Sequence, residues 1–211
     1  MPVEFSGKAG DGNPVKVTIC VTPDYLSVGD DANFVRTPLG LPAAAQVALR
    51  FGFLLPTTRM VDAIYAQAQV HLKPQPMTPG SAMVTTTYLL RHNATVDAQL
   101  GPEAGVPDEL VAGQKKDLVL TNRLRSAPGK VAIYGWHRSN GHPIQPLSTV
   151  HQASYADYSH GIRLVSDTAF VNDRPVSLVK LLADPTYARL LSSEGPIRNP
   201  ETLLASYSSK S

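Results

Sequence analysis

Histidines are concentrated in one stretch of the sequence, residues 136–165. Four of the six histidines in the 211-residue chain lie there, together with its single tryptophan, and these residues are Trp136, His137, His142, His151 and His160. The imidazole changes its protonation state near neutral pH and is the side chain that most often binds metal ions. This local excess is the feature of the sequence that most clearly indicates a functional site.

Two predicted strands would position these histidines. Residues 130–135 read as a strand that ends just before His137, and residues 158–165 read as a strand whose alternation places His160 in an apolar row. If the two strands are neighbours in one sheet, His137 and His160 enter the same pocket. His151, in the connection between them, would then reach that pocket from the side.

A mononuclear metal site is one chemistry that this set could support. His137, His151 and His160 would be the ligands, with His142 as a further candidate and Asp157 as a carboxylate ligand or supporting group. Zinc hydrolases use three protein ligands and leave one position for water, so a single divalent metal such as zinc is the expected cofactor. However, the spacings match no compact ligand motif, and there is no His-Glu-x-x-His sequence.

Metal-free hydrolysis, with no cofactor, is the second chemistry. A histidine would act as the base, and Ser148, Ser159 or Lys116 would be the nucleophile or proton donor. Ser159 and His160 are adjacent on a predicted strand and point to opposite faces, so His151 or His137 would have to serve Ser159. The sequence has no Gly-x-Ser-x-Gly elbow.

The leading prediction is a hydrolase that acts on a polar or anionic substrate, such as a peptide or glycan of the cell envelope. Its acid/base or metal set would be His137, His151 and His160. Ser159 and Asp157 would support that set, and Lys116 would stabilise charge; the catalytic candidates are therefore His137, His151, His160, Ser159, Asp157 and Lys116.

A binding domain without catalysis is the alternative from a different class. Aromatic faces beside a few polar groups suit a sugar-like or anionic ligand, and the candidate ligand-binding residues are Trp136, Tyr158, Arg138 and Lys115. The predicted partner in either case is a small molecule or a polar ligand derived from a polymer. The proline-rich, weakly charged composition also fits a third alternative, a structural or assembly subunit.

Charge is distributed unevenly along the chain, although its net value is only +2. Residues 1–112 carry 7 Lys and Arg against 10 Asp and Glu, whereas residues 113–211 carry 12 against 7. A basic field beside the histidine stretch favours an anionic ligand. The small total charge and the lack of a recognition helix or stacking motif argue against a nucleic-acid partner.

The remaining bulk features exclude several classes of protein. A single cysteine, Cys20, excludes an intramolecular disulfide framework and a cysteine-rich zinc site. No apolar run approaches the ~18 residues of a membrane-spanning helix, so we expect a soluble chain. The start of the sequence lacks the pattern of a signal peptide, so the chain is either cytosolic or exported with its leader peptide already removed.

The order of helix-like and strand-like segments along the sequence predicts an α+β fold in one domain spanning residues 1–211. An N-terminal helical layer, preceded by a strand and contained in residues 1–112, would pack on a mainly antiparallel sheet built from the C-terminal half. Residues 113–205 would form the β-rich half that carries the site, and residues 206–211 a frayed tail.

Local signals predict the individual elements. Alternation indicates a strand over 15–21, and helices are expected to begin near Pro42 and Thr57. Residues 81–100 are expected to be helical, with His92 and Asn93 at the surface or at a cap. A hairpin turn at Asn172-Asp173, a loop over 101–113 and short helices over 177–182 and 185–191 complete the pattern.

Overall fold

The computed structural model describes residues 1–9, 12–101 and 109–208, and its helices and antiparallel sheets confirm the α+β class. The strands are β1 Pro2–Lys8, β2 Pro14–Cys20, β3 Ser27–Gly29, β4 Phe34–Arg36, β5 Phe53–Leu54, β6 Val70–His71, β7 Val111–Ala112, β8 Lys116–Leu118, β9 Ile133–His137, β10 Pro143–Ser148, β11 His160–Gly161, β12 Val165–Ser166, β13 Thr168–Val171 and β14 Arg174–Ser177. The α-helices are α1 Leu41–Arg50, α2 Thr58–Gln67, α3 Thr86–Leu100, α4 Arg123–Ser126, α5 Leu178–Ala183, α6 Pro185–Leu191 and α7 Pro200–Ser208, and a 3₁₀ turn covers Ser81–Val84.

Two four-stranded sheets organise the chain. The first has the order β1-β2-β13-β14 and is antiparallel throughout. The second has the order β10-β9-β8-β11; its first three strands are antiparallel, and β11 pairs parallel with β8. The second sheet carries the histidine stretch, so its strand order decides which candidate residues meet.

The predicted division into an N-terminal helical layer and a C-terminal sheet must be corrected. β1 and β2 stand at the start of the chain, and β2 pairs with β13 from the C-terminal half. Likewise, helix α1 of the N-terminal half packs mainly against helix α7, which lies near the C-terminal end of the chain. The apolar face of β2 therefore finds its partners at both ends of the sequence, which a reading of local patterns does not reveal.

Most individual elements form where local chemistry predicts them. Val15, Val17 and Ile19 alternate as buried residues along β2. The Thr57 hydroxyl oxygen accepts a hydrogen bond from the Met60 amide and begins α2 as an N-cap.

The β13–β14 hairpin turns at Asn172 and Asp173, both with positive φ, as a two-residue turn of this kind requires.

The predicted frayed tail is wrong for residues 206–208, which continue α7. Tyr207 is buried there, and its hydroxyl donates to the Leu124 carbonyl oxygen. Residues 209–211, and residues 102–108 of the predicted loop, lie outside the described part of the chain. Within the described ranges, no helix is both long and apolar enough to cross a membrane.

Candidate functional site

The two strands expected to be neighbours are separated by β8. Lys116 in β8 is the register partner of Gly135 in β9 on one side and of His160 in β11 on the other. Register partners project to the same face of a sheet, so Lys116 and His160 share a face. The predicted direct pairing of the strands that carry His137 and His160 is therefore wrong.

The backbone at Trp136 turns His137 away from that shared face. Trp136 has a φ of 58°, in the left-handed region that a bulky residue rarely adopts. The preceding residue, Gly135, also has a positive φ, of 109°. In a regular strand, Tyr134 and His137 would point to opposite faces, yet the Tyr134 hydroxyl and His137 Nε2 both contact Asp62 Oδ1, at 2.8 and 2.9 Å. This break in alternation directs His137 towards α2.

His137 must therefore be removed from the predicted catalytic set. Its ring stacks on Tyr65 of α2, with 4.6 Å between ring centroids. Arg138 and His142 are exposed in the turn between β9 and β10, so Arg138 is not placed with the predicted ligand-binding residues. The side chains of Lys116 and Trp136, by contrast, remain together, with Lys116 Nζ 5.1 Å from the centre of the indole ring.

The predicted metal set is also divided by this geometry. His151 and His160 lie 6.4 Å apart between ring centroids, but His137 lies with Asp62 towards α2. Across the described ranges, no three His, Cys, Asp or Glu side chains are grouped so that they could hold a metal ion. We therefore take no step of the chemistry through zinc or another divalent ion.

Asp157 is the centre of the hydrogen bonding on the Lys116 face. Its carboxylate accepts bonds from the Ser159 amide at 2.8 Å, the Ser159 hydroxyl at 2.6 Å and the Tyr155 hydroxyl at 3.0 Å. Burial works against its charged form, but His160, the two bonds from Ser159 and Lys116 together lower the pKa of Asp157. The Ser159 hydroxyl donates to this carboxylate and to no histidine among the described residues, so Ser159 supports Asp157 and has no base to activate it as a nucleophile.

His160 lies beside that carboxylate but is not hydrogen-bonded to it. His160 Nε2 is 3.9 Å from Asp157 Oδ2, and the ring is 1% exposed. Burial lowers the pKa of His160 to about 4, with Asp157 opposing the shift. The imidazole is therefore neutral at neutral pH and can accept a proton.

Two lysines lie near this region, and Lys116 is the one whose positive charge stands over Trp136. The buried Lys115 donates from Nζ to the Tyr158 carbonyl oxygen at 2.6 Å, and burial, aided by Arg36, lowers its pKa to about 7. Lys116 is partly buried, and burial lowers its pKa too, although Asp157 opposes the shift. Both side chains can donate hydrogen bonds.

His92 of α3 belongs to this region, although the sequence placed it at the surface. It is 1% exposed, with ring centroids 5.0 Å from Tyr158 and 6.4 Å from Trp136. His92, Val96 and Leu100 are all buried and are spaced four residues apart, so they form one helical stripe. That spacing was the signal in the sequence that could have identified it.

Several buried nitrogen atoms here have no hydrogen-bond partner among the described residues. They are both ring nitrogens of His92, both ring nitrogens of His160 and the indole nitrogen of Trp136. Buried polar groups are normally paired, so a group of unpaired nitrogens in one place requires an explanation, such as a catalytic role or a bound molecule. With Lys115 and Lys116 beside them, the region is rich in donors that suit an anion.

Two adjoining clefts lie beside this region, and their walls include Asp157, Tyr158, His151 and Tyr155. The Asp157 cleft, about 190 Å³, is lined by Pro38, Met83, Val84, Thr85, Thr86, Leu89, Ala156, Asp157 and Tyr158. The Tyr155 cleft, about 580 Å³, is lined by Val84, Val150, His151, Gln152, Ser154, Tyr155 and Ala156. They share Val84 and Ala156. Ser148 lies in β10, at the opposite edge of the sheet from β11, and is not part of this site.

A third cavity, about 270 Å³, lies between Pro23 and Phe34 and is walled by Tyr25, Leu26 and Leu164. Its walls contain none of the candidate histidines or lysines. We therefore place the site at the Asp157 and Tyr155 clefts, where cavities and titratable groups coincide.

Replacing His92 by phenylalanine is expected to stabilise the fold more at pH 5 than at pH 8. Burial lowers the pKa of His92 to about 3 from an ordinary value of 6.5. Because the folded pKa is depressed, the stability that neutral His92 contributes falls as the pH drops from 6.5 towards 3. The variant removes this loss, which amounts to about 2 kcal/mol at pH 5. Urea unfolding at both pH values measures the difference.

The exposed His142 provides the matched control for this measurement. His142→Phe removes an imidazole from the β9–β10 turn and should change the pH dependence little. The same change in stability for His92→Phe at both pH values would show that the pKa of His92 is not lowered in the fold and would contradict its burial as a neutral imidazole.

Comparison with protein-family models, with curated proteins and with solved structures finds no match for this chain.

Proposed function

We propose that this protein is a hydrolase whose anionic substrate binds where the Asp157 and Tyr155 clefts meet the Lys116 face. The observation that supports this most strongly is the set of unpaired buried nitrogens on His92, Trp136 and His160 beside the two lysines. An ionised carboxylate only accepts hydrogen bonds, so it would satisfy the indole N–H and the Lys116 ammonium together.

The acid/base step is assigned to His160. The neutral imidazole removes a proton from a water molecule, whose oxygen attacks the electrophilic carbon of the substrate. The bond to the leaving group then breaks, and His160 returns the proton to that group. Asp157 lies 3.9 Å away and stabilises the imidazolium formed between these events.

Lys116 and Trp136 are assigned to charge stabilisation. The Lys116 ammonium stands over the indole ring, and its partial burial strengthens its interaction with negative charge that develops on the substrate. His151 lines the Tyr155 cleft and stacks on Tyr155 with 4.3 Å between ring centroids, so it forms a wall of the entrance.

A binding domain without catalysis is the second candidate. It is favoured by the burial of the polar side chains, since His160 is 1% exposed and Ser159 is fully buried. Such groups can hold a ligand by hydrogen bonds without transferring a proton. The two candidates share the anion site and differ only in turnover.

A pair of activated esters tests the hydrolase directly. We expect the protein to hydrolyse 4-nitrophenyl hydrogen succinate, an anion, with kcat/KM about tenfold above that for the neutral 4-nitrophenyl acetate, because one charge-assisted bond contributes about 1.5 kcal/mol or more. Lys116→Met should remove this preference. Release of 4-nitrophenolate is followed by absorbance, against the spontaneous rate.

Arg138→Met serves as the control, since it also removes one positive charge but from the exposed turn. It should retain the preference for the anionic ester. Binding of succinate without ester hydrolysis above the spontaneous rate would contradict the hydrolase and support the binding domain.

A further inference from the structure

The Tyr155 cleft has apolar walls that the anion site does not use. Val84 is 58% exposed and Val150 is 73% exposed, and both line this cleft. Single exposed valines are common, but two that face one cavity form an apolar surface beside a site for a charged group. This combination is typical of a site for an amphipathic ligand.

The stacked rings of His151 and Tyr155 form a further wall of the Tyr155 cleft. The rings of His151 and Tyr155 are nearly parallel, with 14° between their planes and 4.3 Å between their centroids. Together with Val84 and Val150, this surface lines a cavity of about 580 Å³, within the range that small-molecule sites occupy.

Two wall residues of the apolar cleft contact residues of the donor-rich region. His151 lies 6.4 Å from His160 between ring centroids, and Tyr155 donates from its hydroxyl to Asp157. A ligand whose anionic group lies at His160 and Lys116 would therefore have its other end at the His151 wall.

We infer that the substrate of this site carries, besides the bond that is hydrolysed, a carboxylate that lies at the Lys116 face and an unbranched apolar tail that lies between Val84 and Val150. This inference rests on the proposed function, because it places the charged end of the ligand in the proposed anion site. The apolar tail is the new element, and it makes fatty-acid-like compounds the ligand class.

The test is a series of straight-chain carboxylates: acetate, butyrate, hexanoate and octanoate. Binding is followed by the fluorescence of Trp136, the only tryptophan of the chain, excited at the red edge of its absorption so that tyrosines do not contribute. We expect affinity to rise about fifteenfold for each two methylenes added, because each buried methylene contributes about 0.8 kcal/mol. Val84→Ser and Val150→Ser should flatten this rise with chain length.

Val28→Ser is the matched control, because Val28 is an equally exposed valine (68%) in β3, outside both clefts. It should retain the wild-type dependence on chain length. Acetate binding with no gain from longer chains would overturn this inference and leave the anion site intact. The absence of any carboxylate binding would instead contradict the proposed function itself.

Discussion

Replacing His160 by glutamine is expected to lower kcat/KM for the anionic ester by about 10²–10⁴-fold, the usual contribution of a general base. Glutamine keeps the size and the polarity of the side chain but cannot take up a proton. Because both ring nitrogens of His160 are without a partner among the described residues, the substitution breaks no hydrogen bond of the described fold. The loss should therefore appear in turnover and not in stability.

The pH dependence of the wild-type reaction carries the signature of the same group. Since burial lowers the pKa of His160 to about 4, the imidazole is still neutral at pH 5.5, where an exposed histidine is mostly protonated. For the neutral 4-nitrophenyl acetate, which has no carboxyl group of its own to titrate, we expect kcat/KM to fall only as the pH drops through about 4, with circular dichroism confirming that the chain remains folded.

Two results separate this role from a structural one. Succinate should still quench or enhance the Trp136 fluorescence in His160→Gln, because Lys116 and Trp136 remain in place. His142→Gln, at the exposed turn, should retain wild-type activity. Wild-type turnover in His160→Gln would contradict the assignment of the proton transfer to this imidazole.

Replacing Arg36 by methionine is expected to lower the free energy of unfolding by about 3–5 kcal/mol, because it leaves a buried carboxylate without its partner. Arg36 is fully buried and donates from Nε to Asp24 at 2.6 Å and from Nη1 to Asp97 at 2.7 Å. Asp97 belongs to α3, the helix that carries His92, so these bonds also fix the helix that lines the site. Urea unfolding measures the loss.

An exposed ion pair and a double variant serve as controls. Arg123→Met removes a guanidinium that is 57% exposed and 3.9 Å from Glu194, which should cost at most about 1 kcal/mol. Adding Asp24→Leu to Arg36→Met removes the buried Asp24 carboxylate that Arg36→Met leaves without its ion-pair partner, and should regain part of the free energy of unfolding. A loss for Arg36→Met no larger than that for Arg123→Met would contradict the role given to this ion pair.

The sequence predicted the elements better than their arrangement. Alternation located β2, and the cap at Thr57 located α2, because both signals are local. The position of β8 between β9 and β11 was missed because alternation assigns a face to each residue but does not give the order of strands. The inferred meeting of His137 with His160 was wrong for that reason.

The candidate site was predicted in part for similar reasons. Lys116 lies beside Trp136 and is the register partner of His160, because the strands that carry them share one sheet, and the roles of these residues stay predictions. The left-handed backbone at Trp136 could not be foreseen, because a bulky residue rarely adopts it. His92 was missed because its signal, the four-residue spacing with Val96 and Leu100, lies in α3, far along the sequence from the histidine stretch.

A fluorescence titration of Trp136 with succinate tests the central claim most directly, since that indole is the only tryptophan and lies at the proposed anion site. We predict saturable binding in the wild type, weakened about tenfold or more in Lys116→Met by the loss of one charge-assisted bond, and unchanged in Arg138→Met. A fluorescence signal that does not respond to succinate in the wild type, or that responds equally in Lys116→Met, would contradict the claim that the nitrogens around Lys116 form a site for an anion.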